Sequence, residues 1–194
     1  MSPEQLSLQP NGERFDFYAL CLATRHQLEH AMRCGVTPEM NALAGWEFKG
    51  YRTIELAQVL GGRKFKKGFF LDDPSRDASV GISGYTLRTH GNTLGEPWID
   101  KTKKGDLLRH NWFEVYPVSL SELDNKYPNG LLLNYSLSSK NKLLDRCRLQ
   151  RDYIVQVYRD NADLLLGKSY IAIGSMRQET SFFVMERHNE STLS

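Results

Sequence analysis

Three apolar runs near the C-terminal end of the chain decide the fold class: RDYIVQVY (151–158), DLLLGKSYIAIG (163–174) and TSFFVMERH (180–188). Each run has the length of a β-strand and is rich in Val, Ile, Tyr and Phe. Asp-Asn separates the first two runs and Gly-Ser the last two, and both pairs are typical of turns. The pattern predicts three consecutive antiparallel strands of one sheet.

Upstream of these runs, the sequence predicts five more strands of similar character. They are joined by turns and loops without a regular alternation of strand and helix, which favours an antiparallel meander over a doubly wound sheet. Closing the meander into a barrel would remove its exposed edges. We therefore predict a mainly β protein, an antiparallel up-and-down barrel of about eight strands. The five upstream strands are predicted at 45–51, 63–71, 80–88, 107–118 and 131–137.

The N-terminal part of the chain is predicted to be helical. Apolar residues recur at steps of three and four from Phe15 to Cys34, which predicts a first helix. A second, short helix is predicted after it, so that both helices lie within 15–44. Residues 53–60 predict one further short helix. Residues 1–14 are polar and predict a mobile arm. We expect 15–194 to form a single barrel domain on which the N-terminal helices pack.

Composition limits the classes of function. Hydrophobic residues make up 40% of the chain and charged residues 25%, while the formal net charge is only +2. So mild a charge gives no indication of a nucleic-acid partner. Three cysteines without metal-ligand spacing predict reduced thiols. Neither a secretory signal nor a membrane-spanning run is visible, so we expect a cytoplasmic protein without stable membrane insertion.

One short pattern resembles a known family. Gly45-Trp46 opens the first predicted strand and Arg187 lies on the last one, as in lipocalin-like (calycin) barrels. The resemblance implies that Arg187 packs across Trp46 and closes one barrel end, although the lipocalin pattern places one residue between glycine and tryptophan. Guanidinium over indole is a favourable contact on physical grounds as well. The strings RDYIVQV, DLLLGKSY and FFVMERH also resemble a bacterial protein family of unknown activity.

Candidate binding residues are polar groups on strands that otherwise carry apolar side chains. Lys168 lies among leucines and Tyr170, and a buried ammonium requires a partner such as Asp152 on the neighbouring strand. If Lys168 instead points outward, it only makes the outer surface polar. Sparse polar groups in an apolar pocket are typical of small-molecule sites. The predicted ligand-binding residues are Lys168, Tyr170, Asp152, Tyr85, Asn134, His110 and Glu114, with His110 and Glu114 on one face of their strand.

We find no motif for a cofactor or a metal. His26 and His30 have the i, i+4 spacing of a metal pair, but His-Gln-Leu-Glu-His lacks the zincin arrangement, and a solvated helix face is favoured. No phosphate-binding loop, dinucleotide fingerprint or nucleophile motif is present. The basic run 63–67 is a candidate surface for an acidic partner.

Three functions remain open from sequence alone. The first is binding of a small, mainly apolar or amphipathic ligand with a polar or acidic end inside the barrel, which requires a lumen that Phe and Leu do not fill. The second is an isomerase, cyclase or lyase acting on a carbonyl compound, with Lys168 or Tyr170 as acid or electrophile and Asp152 or Glu114 as base. The third is a non-catalytic interaction module that uses the basic edge 63–67 or the N-terminal helix.

Overall fold

The computed structural model describes residues 12–53, 62–72 and 77–193, and its main feature is a closed antiparallel barrel of eight strands. Around the barrel the strands follow one another in chain order, so the predicted up-and-down barrel is confirmed. A two-stranded hairpin, β4 (Thr102–Lys103) with β5 (Asp106–Leu107), lies apart from it in the loop that sequence left unstructured. The barrel strands are β1 (Trp46–Arg52), β2 (Lys64–Phe70), β3 (Ile82–Arg88), β6 (Arg109–Pro117), β7 (Leu131–Asn134), β8 (Gln150–Tyr158), β9 (Asn161–Ile173) and β10 (Met176–Glu190).

Two helices, α1 (Phe17–Leu22) and α2 (Arg25–Cys34), replace the single long helix expected from Phe15. The chain breaks at Thr24, whose extended backbone begins a capping box with Gln27. Such a reciprocal cap satisfies N–H groups at a helix start, so it favours a new helix over continuation. The short helix α3 (Met40–Leu43) follows. Among the described residues, none of the helices is long and apolar enough to cross a membrane.

The lumen is filled by aromatic rings over half its length. Phe48, Phe69, Phe113 and Tyr135 form a chain of ring contacts with centroids 5.2–5.7 Å apart. Leucines from β7 and β9, together with Met185, complete this packing. We call this half the closed end. The other half, where β1 ends and β10 begins, contains polar side chains, and we call it the mouth.

The outer wall of β8, β9 and β10 is apolar because α1 and α2 cover it. Leu28 and Met32 of α2 pack in one cluster with Val155 and Leu166 of the wall. These strands are therefore buried on both faces, which explains why the three C-terminal runs read as nearly continuous apolar sequence. Positions 1–11 of the predicted arm and 54–60 of the predicted third helix lie outside the described residues.

Candidate functional site

A buried ion pair lies at the centre of the mouth. Lys67 on β2 is 2% exposed, and its Nζ lies 3.1 Å from Oδ2 of Asp152 on β8. The Tyr135 hydroxyl accepts a hydrogen bond from Lys67 and donates one of 2.7 Å to Asp152. Gln150 donates a further bond to Asp152. Four aromatic rings surround the Lys67 ammonium with centroids 4.9–5.6 Å away: Phe65, Phe113, Tyr135 and Phe183.

Two further nitrogen groups face this pair from the open side of the mouth. Arg52 ends β1, its guanidinium lies 4.7 Å from the centre of the Phe65 ring, and it donates to the Gly62 carbonyl. His110 on β6 lies within electrostatic reach of both Lys67 and Arg52. Its Nε2 is buried and has no hydrogen-bond partner among the described residues. Arg52 and His110 are partly exposed, whereas Lys67 and Asp152 are buried.

The direction of His110 corrects a prediction from sequence. Simple alternation places His110 on the same strand face as Glu114. Asn111 has a positive φ of 48°, and the β3–β6 register shifts at this position, so one extra residue reverses the alternation. His110 lies opposite Thr86, which bonds Tyr135 in the lumen, while Glu114 bonds Ser83 on the outer wall.

Burial controls the protonation of these groups. It lowers the pKa of Lys67, and nearby Arg52 adds to that effect, although Asp152 opposes it. Burial alone would raise the pKa of Asp152, but the charge of Lys67 and bonds from Tyr135 and Gln150 outweigh it and lower the pKa overall. Burial and the neighbouring cations also lower the pKa of His110. The lowered pKa of His110 favours its uncharged imidazole form beside the cations of Arg88, Lys67 and Arg52.

Lys168 and Tyr170, the sharpest candidates from sequence, lie outside the barrel. They line a pocket of about 730 Å³ between α2 and the wall, with Glu29, Tyr127 and Glu179. Lys168 Nζ lies 2.6 Å from Glu29 and 2.9 Å from Glu179, rather than beside Asp152 as sequence suggested. We call this the outer pocket.

Three of the four cations that line the outer pocket are paired with its two glutamates, while Lys126 lies 5.3 Å from the centre of the Tyr170 ring. Arg25 pairs with Glu179 at 2.7 Å and Arg33 with Glu29 at 2.9 Å, in addition to the two bonds of Lys168. Burial lowers the pKa of Lys168, but the hydrogen bonds that it donates to both glutamates outweigh this effect and raise the pKa overall. An ammonium held in this way is a weak acid and a poor nucleophile. The network mainly fastens α2 to the barrel.

The remaining predicted site residues lie in other places. Tyr85 is on the outer wall, where its hydroxyl donates to Glu47 at 2.7 Å and contacts Ser191. Asn134 donates to the Tyr116 hydroxyl, also outside. Glu114 lines a smaller pocket of about 140 Å³ beside Ser83. Of the seven predicted ligand-binding residues, only Asp152 and His110 meet at the mouth.

Trp46 and Arg187 meet at the closed end. The Arg187 guanidinium lies 4.6 Å from the centre of the Trp46 ring and 5.3 Å from that of Phe48. It also donates to the Ala42 carbonyl at 2.9 Å, which joins the end of α3 to the barrel. The contribution of this stack to closing the barrel end stays a prediction.

The run 63–67 is not the exposed basic edge that sequence suggested. Lys64, Lys66 and Lys67 are 4%, 4% and 2% exposed, because closure of the barrel gives β2 a neighbour on each side. Lys64 donates to the carbonyls of Glu96 and Pro97, and Lys66 pairs with Asp100. The burial of these lysines does not favour an interaction module based on this run.

Sequence reasoning missed Lys67 and Arg52 as partners of Asp152. A signal was present in KFKKGFF, where alternation places Phe65, Lys67 and Phe69 on one face, so that a single lysine lies between two phenylalanines.

Among the described residues, no three His, Cys, Asp or Glu side chains are grouped so that they could hold a metal ion. No protein-family model matches the chain, and no curated protein shows significant similarity to it.

Proposed function

We propose that this protein binds a small ligand with an acidic group at the mouth of the barrel. An eight-stranded barrel fits small-ligand binding in general, because its strands surround a lumen of about the size of one small molecule. The observation that carries the proposal is an imbalance of charge. Within the part of the chain that the structure describes, Arg52 and Lys67 carry two cations into the mouth, and Asp152 is the carboxylate that faces them.

An anionic ligand would remove this imbalance. Burying a cation without a counter-charge is costly, and the lowered pKa of Lys67 expresses that cost. A carboxylate or phosphate group beside Arg52 would accept hydrogen bonds from its guanidinium and restore charge balance. The unpartnered Nε2 of His110 adds a polar group to the same side of the mouth. Arg52 and His110 are the partly exposed members, so we assign them first contact with the ligand.

The proposed ligand is smaller and more polar than sequence suggested. Phe48, Phe69, Phe113 and Tyr135 occupy the closed end, where the apolar body of a larger ligand would have to lie. The filled closed end therefore argues against a mainly apolar guest deep in the lumen. A compact carboxylate or phosphate ester needs only the mouth.

The outer pocket supports binding less well despite its volume. A ligand anion there would compete with Glu29 and Glu179 for Lys168 and for the two arginines that already pair with these glutamates. The catalytic alternative needs an acid and a base in one pocket. Lys168 and Tyr170 line the outer pocket, whereas Asp152 lies in the mouth, where its lowered pKa makes it a weak base. The other candidate base, Glu114, lies beside Ser83.

Calorimetric titration of the wild-type protein with acetate, benzoate and inorganic phosphate tests the proposal, together with native mass spectrometry for a co-purified small anion. We expect Lys67→Met to weaken the best probe at least about tenfold, because a charge-assisted contact is lost. Because Lys67→Met leaves Asp152 buried without its cation, a melting curve should establish that the variant is folded before it is titrated. Lys168→Met is the matched control and should bind as the wild type does. Equal affinity of Lys67→Met and wild type, or a loss confined to Lys168→Met, would contradict the proposal.

A further inference from the structure

Two adjacent leucines project into solvent at the connection between β7 and β8. Leu143 is 83% exposed and Leu144 is 93% exposed, and neither belongs to any of the apolar clusters of the described residues. Single exposed leucines are common on protein surfaces, but two at one tip form a small convex apolar surface. We call residues 140–149 the leucine loop.

The leucine loop is held rigidly in this shape. The Asp145 amide donates to the Lys142 carbonyl at 3.0 Å, and the Lys142 amide donates back to the Asp145 carboxylate at 2.8 Å. These two bonds form a tight turn with the leucines at its two central positions. Asn141, which is buried, fastens the turn to β6 through both backbone groups of Trp112. The exposure of the leucines is thus built into the fold and does not arise from a loose loop.

Cations surround the leucines. The leucine loop contains Lys140, Lys142, Arg146 and Arg148 against a single carboxylate, Asp145, which gives a net charge of +3. Lys140 pairs with Asp72 and Arg148 donates to two loop carbonyls, so both are partly engaged. Lys142 and Arg146 flank the leucines directly and are exposed.

We propose that the leucine loop docks the protein on an anionic lipid surface. Apolar side chains that enter the headgroup region and adjacent cations that face acidic headgroups are the two contributions by which peripheral proteins bind membranes. A protein partner fits less well, because stable protein interfaces bury roughly 1,200–2,000 Å², far more than one two-residue tip offers. Exposed Ile173 and Met176, beside the β9–β10 turn at the same barrel end, would extend the contact. This orientation would turn the mouth toward the lipid.

A second pair of exposed leucines provides a matched control. Leu120 and Leu123 are 72% and 67% exposed in the β6–β7 connection, so they resemble the leucine pair in type and exposure. Their connection, 118–130, contains Glu122, Asp124 and Lys126, for a net charge of −1. Asp124 is buried and paired with Arg151 and Arg177, and the exposed charge between the two leucines in sequence is Glu122. This pair therefore lacks an excess of exposed cations that would attract an anionic lipid surface.

Vesicle co-sedimentation of the full chain tests the inference, with phosphatidylcholine vesicles and with vesicles containing phosphatidylglycerol. We expect binding to the anionic vesicles, weaker binding at high salt, and little binding to phosphatidylcholine alone. Leu143→Ser with Leu144→Ser should weaken partitioning at least about tenfold. Lys142→Glu with Arg146→Glu should weaken it as strongly. Leu120→Ser with Leu123→Ser should leave it unchanged.

Several results would overturn the inference. Failure of the wild type to sediment with anionic vesicles would exclude lipid docking. It would indicate instead that the two leucines insert into a groove on a partner protein. Equal sedimentation of the wild type and the Leu143/Leu144 variant would show adsorption by charge alone. Because all substituted side chains are exposed, melting curves should confirm that each variant folds. The result is independent of ligand binding at the mouth, since none of these residues contacts Lys67 or Asp152.

Discussion

At the scale of single residues, the lumen depends on glycines that face aromatic rings. Gly50 lies directly opposite Phe65, Gly84 opposite Phe113, and Gly167 opposite Phe183, each on a neighbouring strand. A Cβ atom at any of the three glycines would overlap the facing ring. The missing side chain thus provides the space in which the ring lies, a pairing also used when sheets are designed to curve. The sequence displays these glycines, but only the strand register reveals which ring each one accommodates.

Gly167→Ala should therefore destabilise the protein. The added methyl group would force the Phe183 ring out of its position, and such overpacking typically costs about 1–3 kcal/mol. Chemical denaturation with urea, followed by tryptophan fluorescence, measures the change. Gly95→Ala is the control, because nothing lies within 4 Å of a Cβ atom at Gly95. Superimposable unfolding curves for the two variants would show that Phe183 adjusts without cost.

At the scale of elements, sequence signals differ in how much they reveal. The break between α1 and α2 was readable in principle, because Thr24 and Gln27 have the spacing of a capping box. The bulge in β6 was not, although Asn111 belongs to a residue type that tolerates positive φ. Nothing in RHNWFEVY marks which residue is extra. One bulge therefore decided whether His110 or its neighbours reach the lumen.

The attachment of α2 should depend on Glu29. Its carboxylate accepts from Lys168 at 2.6 Å and from the Tyr127 hydroxyl at 3.1 Å. Glu29→Gln removes the charge that holds Lys168, so we expect a loss of about 1 kcal/mol, a value kept low because Glu29 is partly exposed. Hydrogen exchange followed by mass spectrometry should show faster exchange in α2 and little change in β6. Glu122→Gln, at an exposed loop position, serves as the control.

The stabilisation of α2 by the Glu29 carboxylate should depend on pH. Burial would raise the pKa of Glu29, but bonds from Lys168 and Tyr127 outweigh it and lower the pKa overall. The stabilisation is therefore present above the ordinary glutamate pKa and is lost as pH falls through the lowered value. Protection of α2 in the wild type should decline toward that of Glu29→Gln in acid. Unchanged protection of α2 at all pH values would contradict this attachment.

At the scale of the whole molecule, the number and order of strands followed from the sequence, but the direction of their side chains did not. Apolar runs and turn residues mark each strand, whichever way it faces. Because α1 and α2 cover β8 to β10, those strands are apolar on both faces, and alternation cannot reveal their inner side. Lys168 thus read as a lumen candidate although it lies outside. Lys67, in contrast, faces the lumen, although the composition of its run predicts a basic edge.

The pair in the mouth should govern how the stability of the whole barrel changes with pH. Lys67, Tyr135 and Gln150 hold Asp152 ionised, and Ser169 and Arg52 also face it, so its pKa is lowered in the folded state. The folded state then binds fewer protons than the unfolded chain just below the ordinary aspartate pKa of about 3.9. The stabilisation is therefore present above that value and lost as pH falls through the lowered pKa.

Urea unfolding at a series of pH values, with variants of both partners, tests this dependence. Asp152→Leu alone should cost about 3–5 kcal/mol at neutral pH, because Lys67 keeps a buried cation without its partner. Lys67→Met combined with Asp152→Leu should regain most of that loss, since apolar side chains suit the surrounding rings. The double variant should also lose stability less steeply in acid than the wild type.

On the alkaline side, burial lowers the pKa of Lys67, so wild-type stability should rise as pH increases toward the ordinary lysine pKa, and the double variant should lack that rise. If the double variant instead followed the wild-type curve in both directions, the buried pair would not contribute to the pH dependence of stability. The charge imbalance at the mouth would then no longer support the proposal of an anionic ligand.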